Sequence, residues 1–220
     1  MPFDNFQDSY QLGNAVDLAK EVGEEGIAKL LAIVCSAYEI LYENRAITKE
    51  MKEDQITEEL VAQVTCIWAQ STNVPKNIIP MNQMSDTTHA KKRGKAPTID
   101  FCFRNSWTKE TYFGFECKML AQGNNTLCDK YIDNGLNRYL DGRYCSKGSA
   151  SSMVGYVKCG DLSIIVHEIK TRVDQVKIID NMSKSDSIGS FDQHYTSSHY
   201  RLDGSKLGMH HLFFHFNLAD

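Results

Sequence analysis

Two acids and a lysine near the middle of the chain have the residue types and the spacing of a metal-assisted hydrolytic site. Asp100 lies in the stretch 98–104, and Glu116 and Lys118 lie in the stretch 112–118. Two carboxylates together with a backbone carbonyl suit a hard divalent cation such as Mg²⁺, which keeps several of its waters. A lysine beside them could orient or deprotonate a water molecule, or stabilise the charge that develops on a phosphoryl group.

Two strands are predicted to position these residues. Both stretches alternate apolar and polar residues with period two, which is typical of half-buried strands, and a short polar turn joins them. The apolar residues share one face of each strand: Ile99, Phe101 and Phe103 on the first, and Phe113, Phe115 and Cys117 on the second. Asp100 is therefore expected on the opposite face of its strand, and Glu116 and Lys118 on the opposite face of theirs.

This pattern resembles the D…ExK signature of the PD-(D/E)xK nuclease superfamily. Fifteen residues separate Asp100 from Glu116, and Lys118 stands two positions further on. The resemblance implies that Asp100 and Glu116 hold the metal, that Lys118 assists the attacking water, and that the backbone carbonyl of Cys117 is a further ligand. Ile99 stands where the family often has proline, at a position that varies widely. The alternative is an exposed sheet face with a Glu–Lys pair, which contributes about a few tenths of a kcal/mol.

The downstream half of the chain adds to the resemblance. Four segments are similar to uncharacterised restriction-type proteins of bacterial genomes, several of them linked to phage defence. They are residues 142–144 after a predicted helix, the strand 153–157, the polar segment 197–201 and the segment 211–214. The resemblance implies a restriction-endonuclease-like fold, Mg²⁺ or Mn²⁺ as cofactor, DNA as substrate, and a role as the effector of a bacterial anti-phage or restriction system.

Many members of this superfamily carry a further metal-facing glutamate on the helix that precedes the core strands. Glu59, or its neighbour Glu58, fits by position. The alternative is that these acids only interact with the dipole of the first helical turn, where acids are favoured in any helix.

Basic residues around the motif are candidates for contacts with phosphate. A basic run precedes the Asp100 strand and consists of Lys91, Lys92, Arg93 and Lys95. Arg143 follows a predicted helix, and His199 and Arg201 lie in a polar stretch further on. The alternatives are a solvated loop for the basic run, and packing in a strand or turn for His199 and Arg201.

The remaining pattern predicts a mixed α/β protein. Helical periodicity dominates the start of the chain, with a break near Glu24 and a second helix that begins at Thr57. Residues 71–97 and 174–190 are predicted as polar connections. Strands then alternate with helices, which favours a mixed sheet flanked by helices. We therefore divide the chain into a helical N-terminal region, residues 1–75, and a nuclease-like α/β core, residues 76–220.

A second D…ExK pattern is formed by Asp161, Glu168 and Lys170. Its apolar residues repeat at intervals of three and four, which predicts a helix with Asp161 as its N-cap. On a helix, Glu168 and Lys170 point about 200° apart and cannot converge on one metal. The pattern is therefore excluded as a site.

Composition excludes several other classes of protein. The formal net charge of −4 argues against a uniformly basic nucleic-acid-binding surface but leaves room for a local basic cleft. There is no apolar run of about 18 residues and no signal-like start, so we expect a cytoplasmic protein without membrane contacts. Seven scattered cysteines without a CxxC pair predict free buried thiols and not disulfides or a zinc site.

Two other functions fit the sequence. The same fold could serve as a non-catalytic module that binds nucleic acid or a protein, or the N-terminal helices could form an interaction surface with the α/β part as scaffold. A nuclease of 220 residues without a separate recognition domain would gain its specificity from a homo-oligomer or from a protein partner that activates or targets it.

Overall fold

The computed structural model describes residues 17–85, 96–106 and 112–218. Its helices are α1 (Leu18–Glu43), α2 (Glu53–Gln70), α3 (Asn125–Tyr131), α4 (Asn137–Leu140) and α5 (Leu162–Val173), with a π-helical segment, Ile132–Leu136, between α3 and α4. Its strands are β1 (Ile78–Ser85), β2 (Thr98–Asn105), β3 (Tyr112–Leu120), β4 (Ala150–Val157), β5 (Ile178–Lys184), β6 (His194–Tyr200) and β7 (Lys206–His215).

The described strands form a seven-stranded mixed sheet in the order β1-β2-β3-β4-β7-β6-β5. β1, β2 and β3 are antiparallel neighbours, β4 lies parallel to both β3 and β7, and β6 and β5 complete the sheet in antiparallel fashion. The predicted mixed α/β class is confirmed.

Helices cover both faces of the sheet, so the strands between them are buried on both sides. One apolar cluster joins α1 and α2 to residues of β2, β3, β4 and β7, and its aromatic rings include the stacked pair Phe101 and Phe115 at 4.5 Å. The other cluster joins α3, the π-helical segment, α4 and α5 to the opposite face. A sheet buried on both faces places any polar residue of its central strands in the interior.

The N-terminal helices follow the sequence pattern in part. Gly23, at φ 68°, interrupts the helical conformation inside α1, which confirms the predicted break. The predicted start of the second helix at Thr57 is wrong, because α2 begins at Glu53. Lys52 N–H donates to Gln55 Oε1 at 2.9 Å and closes the first turn, while the Thr57 hydroxyl donates to the backbone carbonyl of Glu53 at 2.9 Å.

Two strands lie in segments that were predicted as polar connections. β1 and β5 form the two edges of the sheet, where only one side of the strand needs hydrogen-bonding partners. β1 contains Pro80 and also Gln83, whose φ of 47° interrupts an extended chain, and the pairing of β5 contains register shifts. An edge strand tolerates such irregularities, which is why neither segment shows strand periodicity.

The predictions for α5 and for the cysteines are confirmed. The second D…ExK pattern lies on α5, and Asp161 Oδ1 caps this helix by accepting from Ser163 N–H at 2.8 Å. All seven cysteines are free, and five of them are buried. Among the helices that the structure describes, none combines the length and the apolar character that a membrane span requires.

Candidate active site

Asp100, Glu116 and Lys118 come together between β2, β3 and the start of α2. The ammonium nitrogen Nζ of Lys118 lies 2.8 Å from Glu116 Oε1 and 3.8 Å from Asp100 Oδ2. It also donates to the backbone carbonyl of Cys117 at 2.6 Å. A third carboxylate reaches the same ammonium, because Glu53 Oε1 lies 3.3 Å from it. The site therefore consists of three carboxylates around one lysine.

Asp100 lies where the alternation of β2 is interrupted. Ile99 packs in the cluster below α3 and α5, whereas Phe101 packs in the cluster below α1 and α2, so the expected common face of these two residues is wrong. The ladder between β2 and β3 covers residues 101–104 and 112–115 and does not extend to Asp100. The Asp100 carboxylate instead accepts from the backbone N–H of Cys117 at 2.7 Å, which fixes it beside β3.

Glu53 was not identified from the sequence. It is the first residue of α2, and its Oε2 accepts from the backbone N–H of Met119 at 2.7 Å. Glu58 and Glu59 lie on the same helix but are exposed, so the acid that α2 contributes to the cluster is Glu53. Placing the start of α2 at Glu53 would have revealed it, since this acid lies in the first turn.

Glu116 has the most unusual environment of the three acids. Its side chain is 2% exposed, and its Oε2 has no hydrogen-bond partner among the described groups. Burial, together with the charge of Asp100, raises the pKa of Glu116 to about 7, although Lys118 acts in the opposite direction. A buried carboxylate oxygen without a partner is costly, and it marks a position where a cation or a proton would be stabilised.

The other two residues of the motif, Asp100 and Lys118, respond to the same surroundings. Burial raises the pKa of Asp100, against the opposing effects of Lys118 and the Cys117 N–H. Burial acts to lower the pKa of Lys118, but Glu116, Asp100 and Glu53 outweigh it and raise that pKa above its usual value. Lys118 therefore stays protonated at neutral pH, whereas Glu116 titrates there.

Among the described residues, no group of three or more His, Cys, Asp and Glu side chains is arranged to hold a metal ion. The Lys118 ammonium stands among the carboxylates instead. The donor set nevertheless fits a hard cation, because Glu116 Oε2 is an unpartnered carboxylate oxygen next to a second carboxylate. Asp100 and Glu116 would hold such a cation, with Glu53 and the carbonyl of Cys117 as further oxygen donors.

Arg138 on α4 is a second cation of the site. Its Nη1 lies 3.5 Å from Glu116 Oε1 and 2.6 Å from the hydroxyl oxygen of Tyr144. The sequence pattern gave no means of choosing it over Arg143, which forms an exposed ion pair with Asp141 at 2.6 Å. The structure does not bring Arg143 to the carboxylate cluster, so its predicted phosphate contact receives no support. The predicted basic run of Lys91, Lys92, Arg93 and Lys95 lies outside the described residues.

His199 belongs to a buried hydrogen-bonded chain. His199 Nδ1 donates to the carbonyl of Val176 at 2.7 Å, so its Nε2 must accept from the Ser197 hydroxyl, also at 2.7 Å. Ser197 in turn accepts from His211 Nε2 at 2.8 Å, and His211 Nδ1 accepts from the Tyr131 hydroxyl at 2.9 Å. Burial lowers the pKa of both histidines, which favours this neutral arrangement. The geometry thus favours the packing alternative for His199.

Arg201 is also an interior residue, at 5% exposure. Its guanidinium donates to the carbonyls of Tyr139 at 3.2 Å and Cys145 at 2.8 Å. These contacts join the C-terminal strands to α4 and to the segment after it. The structure therefore does not bring Arg201 or His199 to the carboxylate cluster, and the predicted phosphate contacts of both residues receive no support.

Comparison of the chain with known proteins found no match among family models, curated proteins or solved structures.

Proposed function

We propose that this protein is a metal-dependent nuclease of the PD-(D/E)xK type, which hydrolyses phosphodiester bonds in DNA with Mg²⁺ or Mn²⁺. The observation that carries the proposal is the convergence of Asp100, Glu116 and Lys118 from two adjacent strands, with a carboxylate oxygen of Glu116 left unpartnered. The mixed sheet flanked by helices and the third carboxylate from α2 support it.

Each residue of the site would have a distinct role in this reaction. Asp100 and Glu116 provide the oxygens that hold the cation, and the Cys117 N–H fixes the orientation of Asp100. Lys118, whose pKa is raised, keeps its proton and acts as a fixed positive donor beside the phosphate and not as a proton acceptor. A bound divalent cation would supply Lewis acidity and a water of lowered pKa.

One observation favours the non-catalytic alternative. Lys118 and Arg138 already contact the carboxylates, so the cluster has internal counter-charges without a metal. A binding module on the same fold would need nothing more. The two functions differ in their response to a divalent cation, because only the nuclease requires one.

Cleavage assays with matched variants test the proposal. Plasmid, linear duplex, single-stranded DNA and RNA would be incubated with wild type, Asp100→Asn and Lys118→Met in Mg²⁺, Mn²⁺ or EDTA. We expect metal-dependent cleavage of DNA by wild type and a loss of about 100-fold or more in both variants. Metal-independent cleavage, or full activity of either variant, would refute the assignment.

A second pair of variants tests the third carboxylate. Glu53→Gln should reduce cleavage, whereas Glu59→Gln is the matched control on the same helix, because Glu59 is exposed and outside the cluster. Equal activities of the two variants would remove Glu53 from the site. If wild type neither cleaves nor binds Mn²⁺, the binding-module alternative is favoured.

A further inference from the structure

Arg138 is the cation of the site that faces the solvent. Its side chain is 31% exposed, compared with 10% for Lys118, although both contact Glu116 Oε1. A donor that contacts an incoming ligand must be accessible from the solvent. Lys118 is not, because the acids that it neutralises enclose it, whereas Arg138 is.

Tyr144 holds the guanidinium of Arg138 in a defined direction. The Tyr144 hydroxyl donates its proton to the carbonyl of Thr98 at 2.8 Å, so its oxygen accepts from Arg138 Nη1 at 2.6 Å. The guanidinium carbon also lies 5.7 Å from the centre of the Tyr144 ring. Thr98 is the first residue of β2, two positions before Asp100, so this contact ties Arg138 to the strand that carries the acid.

The π-helical segment brings Arg138 to β3. Gly135 lies in this segment, and a Cβ there would come within 2.3 Å of Met153 Cε and 3.8 Å of Glu116 Cγ. The missing side chain leaves room for the Met153 methyl group next to Glu116. A π-helical turn contains an extra residue, which changes the direction in which the following residues point, and such turns are frequent at functional sites.

Two of the three guanidinium nitrogens of Arg138 remain available as hydrogen-bond donors to a ligand. In the part of the chain that the structure describes, its hydrogen bonds all use Nη1, so Nε and Nη2 have no partner there. A planar guanidinium binds two oxygens of a phosphate through a pair of such donors.

The charges of the cluster match this ligand. A bound divalent cation would keep the three carboxylates ionised; together with Lys118 and Arg138 the site would then carry a net charge of +1, which complements the single negative charge of a phosphodiester. We propose that Arg138 binds a non-bridging oxygen of the scissile phosphodiester and that Tyr144 is its positioning residue. This inference rests on the proposed nuclease function, and it assigns the contact to a residue that replaces His199 and Arg201.

The test compares Arg138→Gln and Arg138→Lys with Arg143→Gln, which removes an exposed arginine paired to Asp141. Binding of a labelled DNA duplex would be measured by fluorescence anisotropy at several salt concentrations, and cleavage kinetics would be measured in Mn²⁺. Arg138→Gln should weaken binding about 10-fold or more, raise KM, and reduce the slope of log Kd against log salt by about one. Arg138→Lys should restore the salt slope but only part of the affinity.

Tyr144→Phe should raise KM a few-fold while leaving the salt slope of wild type, because the charge remains and only its orientation is lost. A salt slope and KM for Arg138→Gln equal to those of Arg143→Gln would overturn the proposal. If wild type binds DNA but does not cleave it, the nuclease function fails while the salt slope still decides whether Arg138 contacts phosphate. Thermal unfolding of each variant checks that the fold is retained, and Arg138→Lys carries the comparison if Arg138→Gln is unfolded.

Discussion

Replacing Glu116 by glutamine should make the stability of the metal-free protein depend on pH in a predictable way. The pKa of Glu116 is raised from its ordinary value of 4.5 to about 7, because the carboxylate is buried beside Asp100. The folded state therefore binds a proton more tightly than the unfolded state does. Between these two pKa values the folded protein holds more protons, so the contribution of Glu116 to stability falls as pH rises through this window.

The size of the effect follows from the shift. One pKa unit corresponds to about 1.4 kcal/mol, so the ionised Glu116 lowers the free energy of unfolding by about 3 kcal/mol at pH 8 relative to pH 4.5. Glutamine has a similar shape and does not ionise. The difference in unfolding free energy between Glu116→Gln and wild type should therefore grow in favour of the variant by up to about 3 kcal/mol across this range.

Urea unfolding in EDTA at pH 5, 6, 7 and 8 measures this difference. Contributions of histidines cancel because both proteins contain them, and Glu59→Gln is the control in which the difference should stay constant, since this acid is exposed. Added Mn²⁺ should stabilise wild type at pH 8 and have little effect on Glu116→Gln. A difference that does not change with pH would refute the view that Glu116 is ionised at a cost.

Three further perturbations probe other parts of the same structure. Lys118→Met leaves the buried carboxylates without their central counter-charge, so urea unfolding in EDTA should show a loss of about 3–5 kcal/mol, which Mn²⁺ partly restores. Burial and the neighbouring His194 lower the pKa of His210 to about 4. Because the folded state resists protonation of this histidine, the free energy of unfolding should fall by about 3 kcal/mol from pH 6.5 to 4. His210→Gln should lack this part of the pH dependence of the free energy of unfolding. Tyr131→Phe removes the donor to a buried histidine and should cost about 1–3 kcal/mol in chemical unfolding, whereas Tyr195→Phe, which is only partly buried, serves as its control.

Local periodicity was enough to predict part of the site and no more. The alternation around Glu116 and Lys118 placed both residues on one face of one strand, and in the structure their side chains form an ion pair at 2.8 Å. Glu53 could not be found in this way, because the start of α2 was placed one turn late at Thr57. An error of one turn in a helix boundary changes which acid faces the sheet.

Contacts between distant segments limit such predictions further. His199 and Arg201 were predicted as candidates for phosphate contacts, but their partners Val176 and Tyr139 come from segments that only the folded chain brings near. Arg138 reaches Glu116 because a π-helical segment alters the helix before it, and no period of the sequence encodes that change. Burial of a polar residue is thus a property of the whole sheet and its two helical layers.

The site lies where the structure departs from the pattern that best stabilises a sheet. The two sequence neighbours of Glu116, Phe115 and Cys117, are fully buried. Neither of these side chains is charged at neutral pH, because burial raises the pKa of the Cys117 thiol. Glu116 itself is buried with an oxygen that no described group satisfies, and its ionisation opposes folding. A side chain that packs the sheet would not carry this cost. The unfavourable carboxylate therefore argues for a positively charged ligand at Glu116, since a bound cation would remove this cost at a pH where the carboxylate is not protonated.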